Sequence, residues 1–279
     1  MNSEVVIAML VDRPYVLVFL ASFLVVSGAE RGWKRTLFWL VSGTFLGWLA
    51  EYSSIQNGFP FGDYTYHSES FPRELWLGGV PFFASISFAF LTYFGYSVAC
   101  TFLSPLRWTG RDLQRIEDPL IASSWQALLL AAGITTWLDL VTDPVAHLGE
   151  YWFLGDLYHY HADGFHFHVP LSNYLGWLLT SVCIVFVNQR FDVWLRSRGS
   201  AAKGTWLPLL PLWAVASSVG NFAFMIGITL SLFAVEEVLA DARLEAVLTS
   251  GLLIGGAFVV FAGWRLRNGV LRGSRLDGP

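Results

Sequence analysis

Lysine, cysteine and charge are all in short supply in this sequence, and each shortage excludes something. Charged residues make up 14% of the 279 residues, against roughly 25% in ordinary soluble domains, while 54% are hydrophobic. Such a chain cannot hide its apolar surface inside one water-soluble globule. The two cysteines, Cys100 and Cys183, both fall within apolar blocks, so no extracellular disulfide framework is built on them. Lys34 and Lys203 are the only lysines, and both lie between apolar blocks. A seven-helix photoreceptor, which needs a Schiff-base lysine in its last span, is thereby excluded. No basic run is dense enough to suggest a nucleic-acid partner. No internal repeat, low-complexity tract or matched pair of Gly/Pro-broken spans is present, which weighs against a transporter built from repeats. Asp12 and Arg13 precede the first apolar block in place of a basic leader with a small-residue cleavage site, so no signal peptide is expected.

What the chain does have is a series of apolar blocks, each close to the ~20 residues that span a hydrocarbon core. They predict spans at about 14–29, 36–54, 78–103, 120–141, 170–188, 206–233 and 245–264. The expected fold is all-α, a polytopic membrane helix bundle of about seven transmembrane helices forming a single domain over 1–279. The sixth block is long enough to tilt, to kink at Pro208 and Pro211, or to lie partly in the interface. Lys and Arg test these spans independently, because they concentrate on the cytoplasmic side. All but Arg13, Arg73 and Arg243 fall between the first and second, third and fourth, or fifth and sixth spans, or after the seventh. A wrong helix count would scramble that alternation. The N-terminus is therefore expected outside and the C-terminus in the cytoplasm. Gly43, Gly47 and the run Gly251, Gly255 and Gly256 predict close helix packing and carry no chemistry.

The chemistry-bearing residues collect in and beside two loops, about 55–77 and 142–169, both expected outside. All six histidines lie there, together with five of the ten tyrosines. Loops this aromatic are expected to lie in the interface or to fold back over the bundle. Segments 58–66 and 151–167 read as an interfacial belt, or as a substrate box if the neighbouring carboxylates face the same cavity. Those carboxylates are the sharper signal. Glu51 stands at the outer end of the second span. Asp139 and Asp143 stand at the outer end of the fourth, on one helix face because four residues separate them, with Pro144 expected to end the helix just beyond. An ionisable group at membrane depth costs about 2.5–3.5 kcal/mol on insertion scales, so three near one level mark a functional site. Asn173 enters the fifth span at a similar depth. The bland alternatives are a turn role for Asp143, a rim role for Glu51 and a helix-to-backbone bond for Asn173.

HYHADGFHFH at 159–168 also invites a metal reading, since imidazole is a common ligand for zinc and iron. Against it, His-x-His on an extended segment points both rings one way, and Asp156 and Asp163 are the only nearby carboxylates. No metal ligand is assigned. A metal-dependent lipid enzyme using these histidines and a proton or cation transporter using the carboxylates stay as alternatives.

At these residues the chain resembles the membrane-integral carotenoid biosynthesis family that includes the carotenoid 1,2-hydratases, such as γ-carotene and bisanhydrobacterioruberin hydratases. The resemblance is carried by Glu51 with NGFPFGDYTY at 57–66, LGGVPFF at 77–83, LDLVTDP at 138–144 followed by Trp152, and VPLSNYLGW at 169–177. It covers about 45–180. It implies addition of water across the terminal double bond of an acyclic polyene, giving a tertiary alcohol. The positions carried over are Glu51, Asp63, Tyr64, Tyr66, Asp139, Asp143 and Asn173. The departure is the His-rich stretch with His168 directly before Val169, in a loop lining the entrance, which bears on substrate identity.

That reaction needs no redox cofactor, and no cofactor is expected. It needs a carboxylic acid kept protonated near neutral pH, a condition favoured by burial and by a second carboxylate. Asp139, deeper in its span, is expected as the acid, with Asp143 or Glu51 orienting the water or taking its proton, the two aspartates titrating as a unit. Asn173 is expected to hold the water. Aromatic faces stabilise a carbocation, and Tyr64, Tyr66, Trp137, Tyr151 and Trp152 are the candidates, with His168 as a further substrate contact. The expected partners are an acyclic carotenoid, membrane lipid and other enzymes of the same pathway, in the cytoplasmic membrane of a prokaryote.

Overall fold

The computed structural model describes residues 12–200 and 207–276. Seven long helices among them form one bundle: α1 (Pro14–Arg31), α2 (Trp33–Asn57), α3 (Phe82–Leu103), α5 (Trp125–Ala146), α6 (Leu171–Ser197), α7 (Leu210–Leu232) and α9 (Ala242–Leu276). Two short helices, α4 (Pro119–Ala122) and α8 (Glu236–Ala240), lead into α5 and α9. Six of the seven are long and apolar enough to cross a membrane. The remaining one, α2, is 25 residues long, but its Ser, Thr, Gly and Trp content and Glu51 dilute the aliphatic surface. It packs along α3 and α6 inside the same bundle.

Local chemistry sets the helix ends. Gly58 closes α2 in the left-handed conformation, at φ 79°, and returns its N–H to the Ser54 carbonyl. Ser124 caps α5 by accepting the Ala127 N–H, which breaks the expected fourth span into α4 and α5. Pro144 does not end α5 as expected. The helix continues to Ala146, because a proline in the last turn forfeits one amide bond while the His147 N–H still reaches the Asp143 carbonyl at 3.1 Å. Nor do Pro208 and Pro211 kink the sixth span. Leu209 turns left-handed at φ 55° and Pro211 sits in the first turn of α7, where a missing N–H costs nothing. Lys203 and the expected start of that span at 206 lie outside the described residues.

Three short antiparallel ribbons decorate the ends. One hairpin joins β2 (Trp76–Leu77) to β3 (Val80–Pro81) through Gly78 and Gly79, both at positive φ, and another pairs β4 (Leu106–Trp108) with β5 (Leu113–Arg115). The third pairs β1 (Tyr64–Tyr66) with β6 (Tyr158–Tyr160), so the two aromatic loops are stitched together over the bundle. At the opposite end the buried charges are paired. Arg115 and Arg31 flank Glu30, while Arg35 and Arg196 both bond Asp192.

Close helix approach occurs where α2 crosses α3. A Cβ at Gly43 would stand 2.8 Å from the Ala89 Cα, and one at Gly47 2.5 Å from the Phe88 ring. In α9, Gly255 is similarly tight against Ile226, but Gly251 has ordinary contacts and Gly256 open space, so only part of that glycine run serves packing. Gly43→Val is expected to destabilise the bundle by about 1–3 kcal/mol, because the neighbour in the way is backbone. Gly133→Ala, with nothing within 4 Å, is the control. Thermal unfolding in detergent checks both, and equal midpoints would refute the packing role.

Candidate functional site

The site begins with three helix ends that meet under the β1–β6 ribbon. Asp139 and Asp143 project from α5, both buried, one turn apart. Asn173, in the first turn of α6, donates from its Nδ2 to Asp139 Oδ2 and to Asp143 Oδ2, at 2.7 Å each. One amide thus bridges two carboxylates. Glu51, buried near the end of α2, faces them from the side.

The ribbon completes the shell. In a strand, alternate residues face one side. Tyr64 pairs with Tyr160 and Tyr66 with Tyr158, which turns all four rings inward. Tyr64 donates to Glu51 Oε2 at 3.2 Å and Tyr66 donates to the same oxygen. Tyr158 donates to Asp143 Oδ1 at 2.5 Å and Tyr160 to Asp143 Oδ2 at 3.1 Å. Burial, and then the adjoining Glu51 or Asp143 charge, pushes all four phenols up, so they remain donors at any physiological pH. No donor to the three carboxylates among the described residues is a cation.

These groups stand on the wall of a cavity of about 210 Å³. Glu51, Asp143, Asn173 and the four tyrosines form its polar end, and Phe61, Phe88, Trp152, Trp177 and Phe224 contribute to a mainly apolar remainder, interrupted by Ser87, Thr142 and Asn221 and drawn from α1, α3, α5, α6, α7 and the two loops. Asp139 is set behind Asn173 and does not line it.

A family profile described as carotenoid biosynthesis protein matches residues 11–248. The chain belongs to the carotenoid biosynthesis protein family. No curated protein and no solved structure matches it.

Against that family membership, the expected site residues divide cleanly. Glu51, Asp143, Asn173, Tyr64, Tyr66 and Trp152 come together on one cavity wall, with Asp139 directly behind. Trp137 does not join them. Its indole donates to the Ile254 carbonyl at 3.0 Å and packs on Phe258 and Phe261 of α9. Tyr151 sits in an exposed turn off the wall. Asp63 and His168 face outward, Asp63 on His161 at 3.0 Å and His168 on Asp163 at 2.6 Å. Sequence reasoning passed over Tyr158 and Tyr160, although YTY at 64–66 and YHY at 158–160 share the same two-residue alternation.

The alternation that turns tyrosines inward turns His159 outward, and His161 follows beside it with ring centroids 5.4 Å apart, as the His-x-His spacing implies. His67 hydrogen-bonds His159 at 2.6 Å and pairs with Asp156 at 3.1 Å. Among the described residues, no three His, Cys, Asp or Glu side chains converge on a point where a metal ion would sit.

Asn173→Leu removes the bridge and leaves two carboxylates side by side without a donor between them. A loss of about 1–3 kcal/mol is expected in detergent unfolding. Asp139→Leu in the same background is expected to recover part of it. An unchanged midpoint for Asn173→Leu would show the bridge to be unimportant.

Proposed function

We propose that this protein is a carotenoid 1,2-hydratase, a cofactor-independent enzyme that adds water across the terminal double bond of an acyclic carotenoid end group. The observation that carries the reading is the set of carboxylates, bonded only by neutral donors, on the wall of an apolar, ring-lined cavity in a member of a carotenoid biosynthesis family. A lipophilic polyene fits such a lining, and the reacting carbons then meet the polar end. The Lys and Arg distribution supports placing that end on the outer face, with the N-terminus outside and the C-terminus in the cytoplasm.

Hydration of a trisubstituted alkene begins with transfer of a proton to one carbon. The π pair forms the new C–H bond and leaves a tertiary cation on the other carbon. Two adjoining carboxyl groups without a cation keep one proton, and Asp143, on the cavity wall, carries it. Asp143 thus takes the donor role expected of Asp139, since Asp143 stands on the wall. Asp139 acts from behind through Asn173. The ring faces of Tyr64, Tyr66 and Trp152 stabilise the cation without capturing it. Water held near Asn173 and Glu51 supplies its lone pair to the cation. Glu51 accepts the proton that the resulting oxonium ion sheds, and return of that proton to the aspartate pair closes the cycle.

Expression in a host that accumulates lycopene tests this. Wild-type protein is expected to yield pigment heavier by one water per modified end. Asp143→Asn and Glu51→Gln are each expected to lower product by about 100-fold or more, the range for loss of a general acid or base. Asp139→Asn, one residue removed from the cavity, is expected to lose less. Wild-type product levels from both Asp143→Asn and Glu51→Gln would remove the carboxylate mechanism.

A further inference from the structure

His147 lies one helical turn beyond Asp143 and caps α5 through its backbone N–H. Its ring packs on the two tyrosines that hold Asp143, with centroids 4.9 Å from Tyr158 at 73° and 5.2 Å from Tyr160 at 38°. Its Nε2 is buried and has no hydrogen-bond partner. Native structures rarely leave a buried nitrogen in that state, so this one is open to a partner. Burial first, and then the nearby His168, hold the imidazole down at about 4, opposed by Asp156 and reinforced by His159. The ring is therefore neutral at physiological pH and has one nitrogen free to accept.

Asp143 supplies the need. As a carboxylate it accepts from Tyr158, Tyr160 and Asn173. Once it carries a proton, its own O–H requires an acceptor and one of the three donors loses its place. A tyrosine oxygen can accept the carboxyl hydrogen only if the phenol hydrogen turns elsewhere, and the imidazole packed against both phenols is that of His147, whose Nε2 has no partner. We propose that His147 is a positioning residue for the hydration, accepting the hydroxyl hydrogen of Tyr158 or Tyr160 while Asp143 carries its proton. The phenol hydrogen rotates and stays bonded to its oxygen. The only proton that changes atoms is the one passing from Asp143 to the alkene carbon. When Asp143 is ionised the phenol turns back to it, and both tyrosines then donate across the distances of 2.5 and 3.1 Å. This inference rests on the hydratase reading and deepens it.

Initial rates on an acyclic carotenoid in membranes test it with His147→Phe, which keeps a ring but accepts nothing, and His147→Gln, which restores an acceptor. His147→Phe is expected to lower kcat about tenfold, the size of one neutral hydrogen bond, with KM within about twofold of wild type. His147→Gln is expected to recover most of the loss. In the Tyr158→Phe, Tyr160→Phe background no hydroxyl is left to turn, so His147→Phe and His147→Gln are both expected to change nothing further. An unchanged kcat in His147→Phe, or losses that multiply with the tyrosine changes, would overturn the role of His147 while leaving the hydratase reading standing. Should His147→Phe not fold, His147→Gln in the two backgrounds decides, because a further loss in the tyrosine-free background is incompatible with the proposal. A wild-type protein that forms no hydrated carotenoid would sink both.

Discussion

Two carboxylates one turn apart on α5 are held by a single amide, with Asn173 Nδ2 at 2.7 Å from an oxygen of each. Like charges at that separation inside an apolar bundle repel strongly, and a donor shared between them eases the repulsion without cancelling it. The remaining balance has to come from neutral donors or from a proton. The fold supplies the donors from far away in sequence, through a ribbon whose two strands are nearly a hundred residues apart. The cap, the cavity beneath it and the placement of Glu51 opposite Asp143 all follow from satisfying those oxygens.

The other end of the bundle shows what the same chain does when a buried carboxylate has only a structural task. Glu30 receives Arg31 and Arg115 together with the hydroxyls of Tyr93 and Ser97, and Asp192 receives Arg35 and Arg196. Each acid there is met by fixed positive charge. A buried ion pair arranged in this way locks helix ends together and leaves no proton to exchange. At the capped end Glu74 is likewise paired with Arg13, at 3.2 Å, whereas Glu51, Asp139 and Asp143 have tyrosines and an asparagine instead. The difference in partner, more than the depth of burial, separates acids that hold the bundle from the acids to which we assign the chemistry.

Much of this was legible in the residues. Apolar blocks of spanning length located all seven helices, although α6 and α9 run well past the expected ends at 188 and 264, to Ser197 and Leu276, and the four-residue spacing put Asp139 and Asp143 on one face. The His-x-His spacing correctly turned two imidazoles the same way. What escaped was whatever depends on pairing between distant loops. Nothing local says that YTY at 64–66 lies against YHY at 158–160, and without that pairing Tyr158 and Tyr160 read as bystanders in a histidine-rich stretch. Helix rotation was also beyond reach at single-residue precision. Trp137, two positions before Asp139, turns to α9, and Asp139 lies one layer behind the wall that Asp143 reaches. Pro144 limits α5 two residues later than expected, because a proline in the last turn costs a single amide bond that the helix can forgo.

The ribbon also explains why a loop so rich in imidazole leaves the interior to phenols. Residues 158–160 alternate Tyr, His, Tyr and residues 64–66 alternate Tyr, Thr, Tyr, so pairing the strands in register sorts the rings by chemistry. Phenols inside remain neutral donors in apolar surroundings and can satisfy a carboxylate without adding charge. Imidazoles outside meet Asp63, Asp156 and Asp163 on the exposed side of the ribbon. A one-residue slip in register would exchange the two sets, placing His159 and Thr65 over the cavity and leaving Asp143 without its tyrosines. His147 stands outside this sorting, because it comes from the end of α5 and not from the ribbon, and its ring packs directly on the two inner phenols that hold Asp143.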